Sequence, residues 1–261
     1  MIKRLKNITN RIYSDYIMKN RFEEYENMLK SFLDKGFIFL PICEAKSSNS
    51  NDKFIIIRHD VDSESKVARK MFEIEKKFGV KSTYYFRLCT IDVDLIKEMI
   101  DYGIEVGYHY EEISTYIKER HIKNLDLIKK EISDIKSKFK ANVDYFEKTI
   151  NHKIYSVASH GDWINRKMKV VNKELVTEEV MEALGINVEA YDIESNLDFR
   201  LADRQYPMFW SPMSPEEIFN SDDLKKGLIL VHPRQWCSAP VERFRLDFQR
   251  IIEGLRYKSI I

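Results

Sequence analysis

Phe54-Ile55-Ile56-Ile57-Arg58-His59-Asp60-Val61-Asp62 runs from four large apolar residues straight into two carboxylates. Such an apolar run predicts a strand buried on both faces, as in a parallel sheet covered by helices. Buried carboxylates cost free energy unless they are paired or used. Side chains alternate along a strand with a period of two, so Asp60 and Asp62 fall on the same side. At close range their charges repel unless a cation or a shared proton intervenes. That arrangement suits a metal ligand beside a general base. A structural reading competes with it, because Asp62-Ser63-Glu64 is also good helix-start chemistry.

Outward from this stretch, strand and helix patterns alternate. Upstream, Phe22, Tyr25, Met28, Leu29, Phe32 and Leu33 form a helical stripe, followed by Gly36 and the apolar run Phe37–Leu40. Residues 44–53, with Ser47-Ser48-Asn49-Ser50-Asn51-Asp52, predict a polar loop. Downstream, a helix is expected from about Glu64 to Phe78 and ends at Gly79. A strand follows at Ser82–Phe86, then a short helix capped by Asp92 and stopped before Gly103. Ile104–His109 reads as a strand, Ile122–Phe139 as one long lysine-rich amphipathic helix with a solvated charged face, and Ile154–Ser159 as a strand. A helix near Lys173–Leu184 precedes the strand-like Ile186–Ala190. Ser214-Pro215-Glu216-Glu217 combines a cap, proline at the first helical position and a capping-box glutamate. Gly227–Val231 reads as a buried strand and Val241–Leu255 as the last helix.

The composition bounds the setting. At 261 residues the chain can bury a large core within one α/β domain. Lys and Arg total 43 against 42 Asp and Glu, a balance that gives no nucleic-acid footprint. Cys43, Cys89 and Cys237 are widely spaced and form no CxxC pair, which favours a reducing compartment. The N-terminus lacks the apolar core of a signal peptide, and no apolar run reaches membrane-spanning length. The expectation is a cytoplasmic protein with no membrane span.

The polar residues sit where a β/α barrel collects its chemistry. Asp60, Asp62, His109, His160 and His232 each follow an apolar strand at its C-terminal end, and in barrels those ends converge on one face. Any one of these histidines is readily a satisfied core or loop residue. Three together with an Asp-x-Asp are harder to dismiss.

On these residues the chain resembles the polysaccharide deacetylase-like superfamily (NodB-homology, carbohydrate esterase 4-like proteins), in a branch with an Arg-His-Asp-Val-Asp signature. The matching segments are Ile57–Asp62, Gly79–Phe86, Tyr102–His109, Ser159-His160-Gly161 and Leu230–Pro233, in family order over roughly residues 54–236. The resemblance implies a single-domain α/β fold, a distorted (β/α) barrel with fewer than eight regular strands. Residues 54–261 would form that barrel, with residues 1–53 integrated against it. It also implies metal-dependent removal of N- or O-acetyl groups from sugars.

By the same resemblance Asp60 matches the general base, Asp62 the first metal ligand, His109 the first histidine ligand and His232 the general acid. The family's second histidine, four residues after the first, is Ile113 here. His160 is the leading substitute, with Glu111 and Glu112 as rivals. The family arginine beside the base has no match at Ser159-His160-Gly161, and Arg58 stands as its replacement. Asp192, Asp198 and Asp203 are all candidates for the acidic partner of His232.

The chemistry follows from the residue types. Amide hydrolysis at neutral pH needs an activated water and a polarised carbonyl. One carboxylate and two imidazoles can hold a divalent ion with positions left open. A second carboxylate accepts the water proton, and an imidazolium protonates the leaving amine. Mixed oxygen and nitrogen ligation suits zinc, the first choice, and also Co²⁺, Ni²⁺, Mn²⁺ or Fe²⁺. Tyr84, Tyr108, Tyr110, Trp163, Trp210 and Trp236 could offer faces to a sugar, although core packing is the simpler reading for each. Cys237 reads as a small, partly buried residue rather than a nucleophile. The expected substrate is an acetylated sugar or a nucleotide- or lipid-linked precursor in surface-glycan assembly. Hydrolysis of another small amide, or a carbohydrate-binding or scaffolding barrel without turnover, are the alternatives.

Overall fold

The computed structural model describes residues 2–48, 52–63 and 65–257. Asn49, Ser50 and Asn51 of the expected loop, and Glu64 at the expected helix start, lie outside these residues. Among the described residues nine strands make one sheet: β1 (Ile38–Phe39), β2 (Phe54–Val61), β3 (Thr83–Phe86), β4 (Glu105–Tyr110), β5 (Ser156–Ser159), β6 (Val188–Glu189), β7 (Phe199–Asp203), β8 (Trp210–Ser211) and β9 (Lys226–Val231). Their order is β6-β5-β4-β3-β2-β9-β7-β8, with β1 beside the start of β2. Every pairing is parallel except β7 with β8. The sheet curls into a half-barrel surrounded by helices, a distorted α/β barrel in a single domain. Six of the strands have four or more residues, in line with the expected shortage of regular strands.

Alternation along β2 sorts the core into two sides. Phe54 and Ile56 pack inside the curl with Ile42, Tyr85, Ala158 and Leu228. Ile55 and Ile57 pack outside with Tyr25, Met28, Phe32 and Met71 of the covering helices. Ile55, Ile56 and Ile57 are wholly buried, and each contributes roughly 1.5–3 kcal/mol on that account. Continuing the same parity turns Arg58 and Asp60 inward and His59 outward. His59 Nε2 lies 2.6 Å from Glu75 Oε1, and its ring stacks on Tyr84 at 4.0 Å. Glu75 also accepts hydrogen bonds from Tyr25, Ser82 and Tyr84, so this buried carboxylate is saturated with donors.

A glycine permits the close packing of β3, β4 and β5 inside the curl. A Cβ on Gly107 of β4 would lie 2.5 Å from both the Ser156 carbonyl oxygen and the Tyr85 ring. Only a hydrogen fits there.

Several elements differ from the sequence expectation. The loop expected over residues 44–53 begins inside the helix Ile42–Ser47, whose first turn is anchored by Cys43 N–H donating to Glu105. The single helix expected over residues 122–139 is two, Leu125–Lys130 and Ile132–Ile150, interrupted at Glu131. The expected helix at residues 173–184 divides into a 3₁₀ turn, Asn172–Leu175, and Glu178–Leu184. Other signals hold: Asp92 caps its helix by accepting from Leu95 N–H at 3.1 Å, and Ser214 with Glu217 forms the capping box. Among the described residues no helix is long and apolar enough to cross a membrane.

Candidate active site

At the C-terminal ends of β2, β4 and β5 the structure brings together Asp62, His109 and His160. His160 Nδ1 lies 3.1 Å from Asp62 Oδ1 and 3.2 Å from His109 Nε2, and His109 Nε2 lies 3.5 Å from Asp62 Oδ1. The residues fit a metal ion on three counts. Donors held at zinc-like bonds of about 2.1 Å in a tetrahedral shell stand roughly 3.4 Å apart, close to these spacings. Asp62 Oδ1 is buried and accepts no hydrogen bond among the described residues. Finally, His109 Nδ1 faces the Ala158 carbonyl at 2.9 Å, an orientation that presents Nε2 to the cluster as the atom that would meet an ion. Asp62 itself is held well below the usual carboxylate range: burial opposes ionisation, but His160 and His109 outweigh it.

The rival ligands are engaged elsewhere. Glu111 receives a fork of hydrogen bonds from Arg87 at 2.7 and 2.8 Å. Glu112 is buried, its Oε1 bonded by Tyr108 at 2.7 Å and Asn142 at 2.9 Å, and it lies outside the group of converging ligand atoms. Ile113 is wholly buried in the core.

Asp60 sits beside the cluster, with Oδ2 3.6 Å from His109 Nε2. Arg58 grips it through two parallel bonds, Nε to Oδ1 and Nη2 to Oδ2, both 2.8 Å. The guanidinium is wholly buried and covers the Tyr191 ring at 4.3 Å. Burial alone would raise the Asp60 pKa, but Arg58 first, then His109 and His232, bring it below the ordinary value. Asp60 is therefore ionised throughout the neutral range.

His232 follows β9. Its Nδ1 lies 2.7 Å from Asp203 Oδ1, and its backbone N–H donates to Asp203 Oδ2 at 2.7 Å. Trp236 Nε1 donates to the same Oδ2 at 2.9 Å. Burial depresses the imidazolium, but Asp203, followed by Asp62 and Asp60, reverses this and carries the His232 pKa to about 9. Of the three candidate partners Asp203 is the one in contact. Asp198 instead accepts from the backbone N–H groups of Lys225 and Lys226, and Asp192 pairs with Lys173. Nothing in the pattern of residues 199–203 marked them as a strand, so its terminal carboxylate could not be singled out.

A cavity of about 280 Å³ opens over Asp62 and His160, lined among others by Lys118, Trp163, Arg234 and Arg245. A larger one of about 490 Å³, between Arg21, Met28, Trp210 and Phe219, contains none of the catalytic candidates. The aromatic candidates separate accordingly. Tyr84, Tyr108, Tyr110 and Trp236 are buried scaffold, Trp210 lines the other cavity, and Trp163 alone among the six borders the site. Cys237 is half-buried.

No family model and no curated protein matches the chain. Among solved structures it is similar to a CE4 family pseudoenzyme from Bacillus anthracis, at 15% identity and a TM-score of 0.43, over 76% of this chain and 62% of that one. A mutant of that pseudoenzyme matches at 17% identity and 0.42, over 76% and 64%. A mutant described as having restored enzymatic activity matches at 16% and 0.41, over 77% and 64%. The chain thus spans less than two thirds of the length of these structures.

Proposed function

We propose that this protein is a metal-dependent hydrolase that removes an acetyl group from an acetylated sugar or glycan precursor. The reading rests on one observation: an Asp62–His109–His160 triad with an orphaned carboxylate oxygen, flanked by a base-type pair and an acid-type pair. Asp62 and the two imidazoles would hold a divalent ion, zinc by donor type. When bound, that ion would supply Lewis acidity toward the acyl carbonyl and make water easier to deprotonate.

The chain's own residues account for the proton movements. Asp60, kept ionised and oriented by Arg58, takes a proton from the attacking water. His232, with Nδ1 committed to Asp203, has Nε2 free to give a proton to the departing amine. Its pKa of about 9 keeps it protonated at neutral pH, where Asp60 is ionised. An acid and a base of opposite readiness therefore coexist, as amide hydrolysis requires. The cavity lining is largely polar, with cations and carboxylates in balance, which suits a hydroxyl-rich sugar; a nucleotide- or lipid-linked precursor inside the cell is the substrate form this reading favours.

The test is acetate release by the zinc-loaded protein from a panel of N- and O-acetylated sugars and sugar phosphates, beside Asp60→Asn. Release that Asp60→Asn abolishes while zinc stays bound supports the proposal. A zinc-loaded protein that binds these sugars and releases no acetate would make it a carbohydrate-binding barrel instead.

A further inference from the structure

The helix Pro240–Arg256 presents the wrong face to the protein. Among its described residues only Arg243 is buried. Val241, Phe244, Phe248, Ile251 and Leu255, spaced three and four apart on one stripe, are between 59% and 86% exposed. The helix is about 25 Å long by its rise per residue. Polar contacts hold it down: Arg243 to Asp15 and to the Arg234 carbonyl, Glu253 to Trp163 and Lys118, and Asp247 to Arg11 and Tyr16. An amphipathic helix fastened by its polar side, with its apolar side in water, marks a surface that receives an apolar partner.

A second exposed apolar surface lies beside it. The Arg11–Asp247 pair fixes the N-terminal helix Ile2–Ile12 and the π-helical turn Tyr13–Ile17 against the last helix. Ile8, Ile12 and Ile17 are exposed there, and Tyr13 packs on Tyr206 at 4.6 Å, next to exposed Met208. The charge of the molecule is concentrated on these two segments. Residues 2–17 hold four cations and one anion, and residues 240–256 hold four cations and three anions. Together they carry four net positive charges in a chain whose formal charge is +1, so the remainder is net acidic.

We infer that the last helix and the N-terminal segment dock the protein on an anionic lipid bilayer surface. The match is one of charge as well as polarity: an apolar belt on two segments that together carry a net positive charge is what the headgroup region of such a bilayer accepts. A helix pair with a second copy would cover one seam of the last helix and leave Ile8, Ile12, Ile17 and Met208 in water. The other side of the same helix lines the cavity over Asp62 and His160, through Arg245, Gln249 and Glu253. Docking therefore sets the cavity mouth beside the headgroups, within reach of a sugar joined through phosphate to a lipid. That last step rests on the hydrolase reading; the docking does not.

Co-sedimentation with phosphatidylcholine vesicles, with and without phosphatidylglycerol, tests the inference without any turnover. The protein should pellet with the phosphatidylglycerol vesicles and be released by salt. Phe244→Glu with Phe248→Glu should weaken that binding by about tenfold or more. Both side chains are exposed, so the melting temperature should hold. Asp62→Asn should leave vesicle binding unchanged, which keeps a failure of the hydrolase reading separate from a failure of docking. Equal pelleting with both vesicle types, no pelleting with either, or binding that survives the double substitution would overturn the inference. So would a dimer in sedimentation velocity that the double substitution dissociates, because the belt would then be covered by a second copy.

Discussion

Replacing Asp203 by Asn should strip His232 of the charge that keeps it protonated. Burial pulls the ring's pKa down from 6.5, and Asp203, helped by Asp62 and Asp60, lifts it to about 9. The interval from 6.5 to about 9 corresponds to roughly 3 kcal/mol of preference for the protonated ring. Because the folded-state value is raised, this stabilisation is fully present below about pH 6.5 and is lost as pH rises through about 9. In Asp203→Asn the two largest attractions on the ring are gone while burial still opposes its charge, so it should titrate well below the wild-type value of about 9. The carboxamide oxygen can still accept from the His232 backbone or from Trp236, which limits collateral damage. The measurement is ¹⁵N NMR titration of the imidazole in metal-free protein, paired with thermal unfolding from pH 6 to 10. The wild type should lose stability across that alkaline range and the variant much less. A His232 ring that still titrates near 9 in Asp203→Asn would refute the electrostatic account.

Other expectations concern the same site and its frame. Asp62→Asn, His109→Ala and His160→Ala should each abolish tight zinc binding in calorimetry, whereas Asp60→Asn should keep the ion and lose about 10²–10⁴-fold in acetate release. Arg58→Met leaves the Asp60 carboxylate buried without its partner, so unfolding free energy should drop by about 3–5 kcal/mol and the acid limb of the rate profile should move to higher pH; an unchanged limb would show that Arg58 does not set the charge of Asp60. Gly107→Ala forces a methyl to 2.5 Å from the Ser156 carbonyl and should cost at least about 1–3 kcal/mol in denaturant melts, a loss that an unaltered midpoint would disprove.

The strands that carry the candidate site residues were largely legible because their signals are local. An isoleucine run announces β2, and the histidines are one or two residues from apolar stretches. Asp60 and Asp62 share a parity that any strand imposes. The acidic partner of His232 was not legible, because Asp203 meets it across a pairing of β7 with β9 and the β7 segment lacks a strand pattern of its own. Tyr191 under Arg58 is likewise a contact between residues far apart in the chain. Polarity misled at residues 44–47, where Cys43 and Glu105 hold a helix turn in place. The break at Glu131 was not legible because the helical period runs straight through it; Glu131 there accepts a hydrogen bond from Tyr116, 15 residues away in the chain.

The ladder joining β2 to β9 has a further consequence. Six registered pairs, Phe54 with Lys226 through His59 with Val231, end one residue short of Asp60 on one strand and His232 on the other. Asp60 and His232 thus follow the last registered pair on two adjacent strands, which run roughly 4.8 Å apart. The loops that follow them inherit no duty to keep the two groups apart or together. On the hydrolase reading proposed above, grafting, lengthening or diversifying those loops should redirect which substrate is accepted while Asp60 and His232 stay in place. That makes this end of the sheet a natural starting point for directed evolution of new acyl specificities.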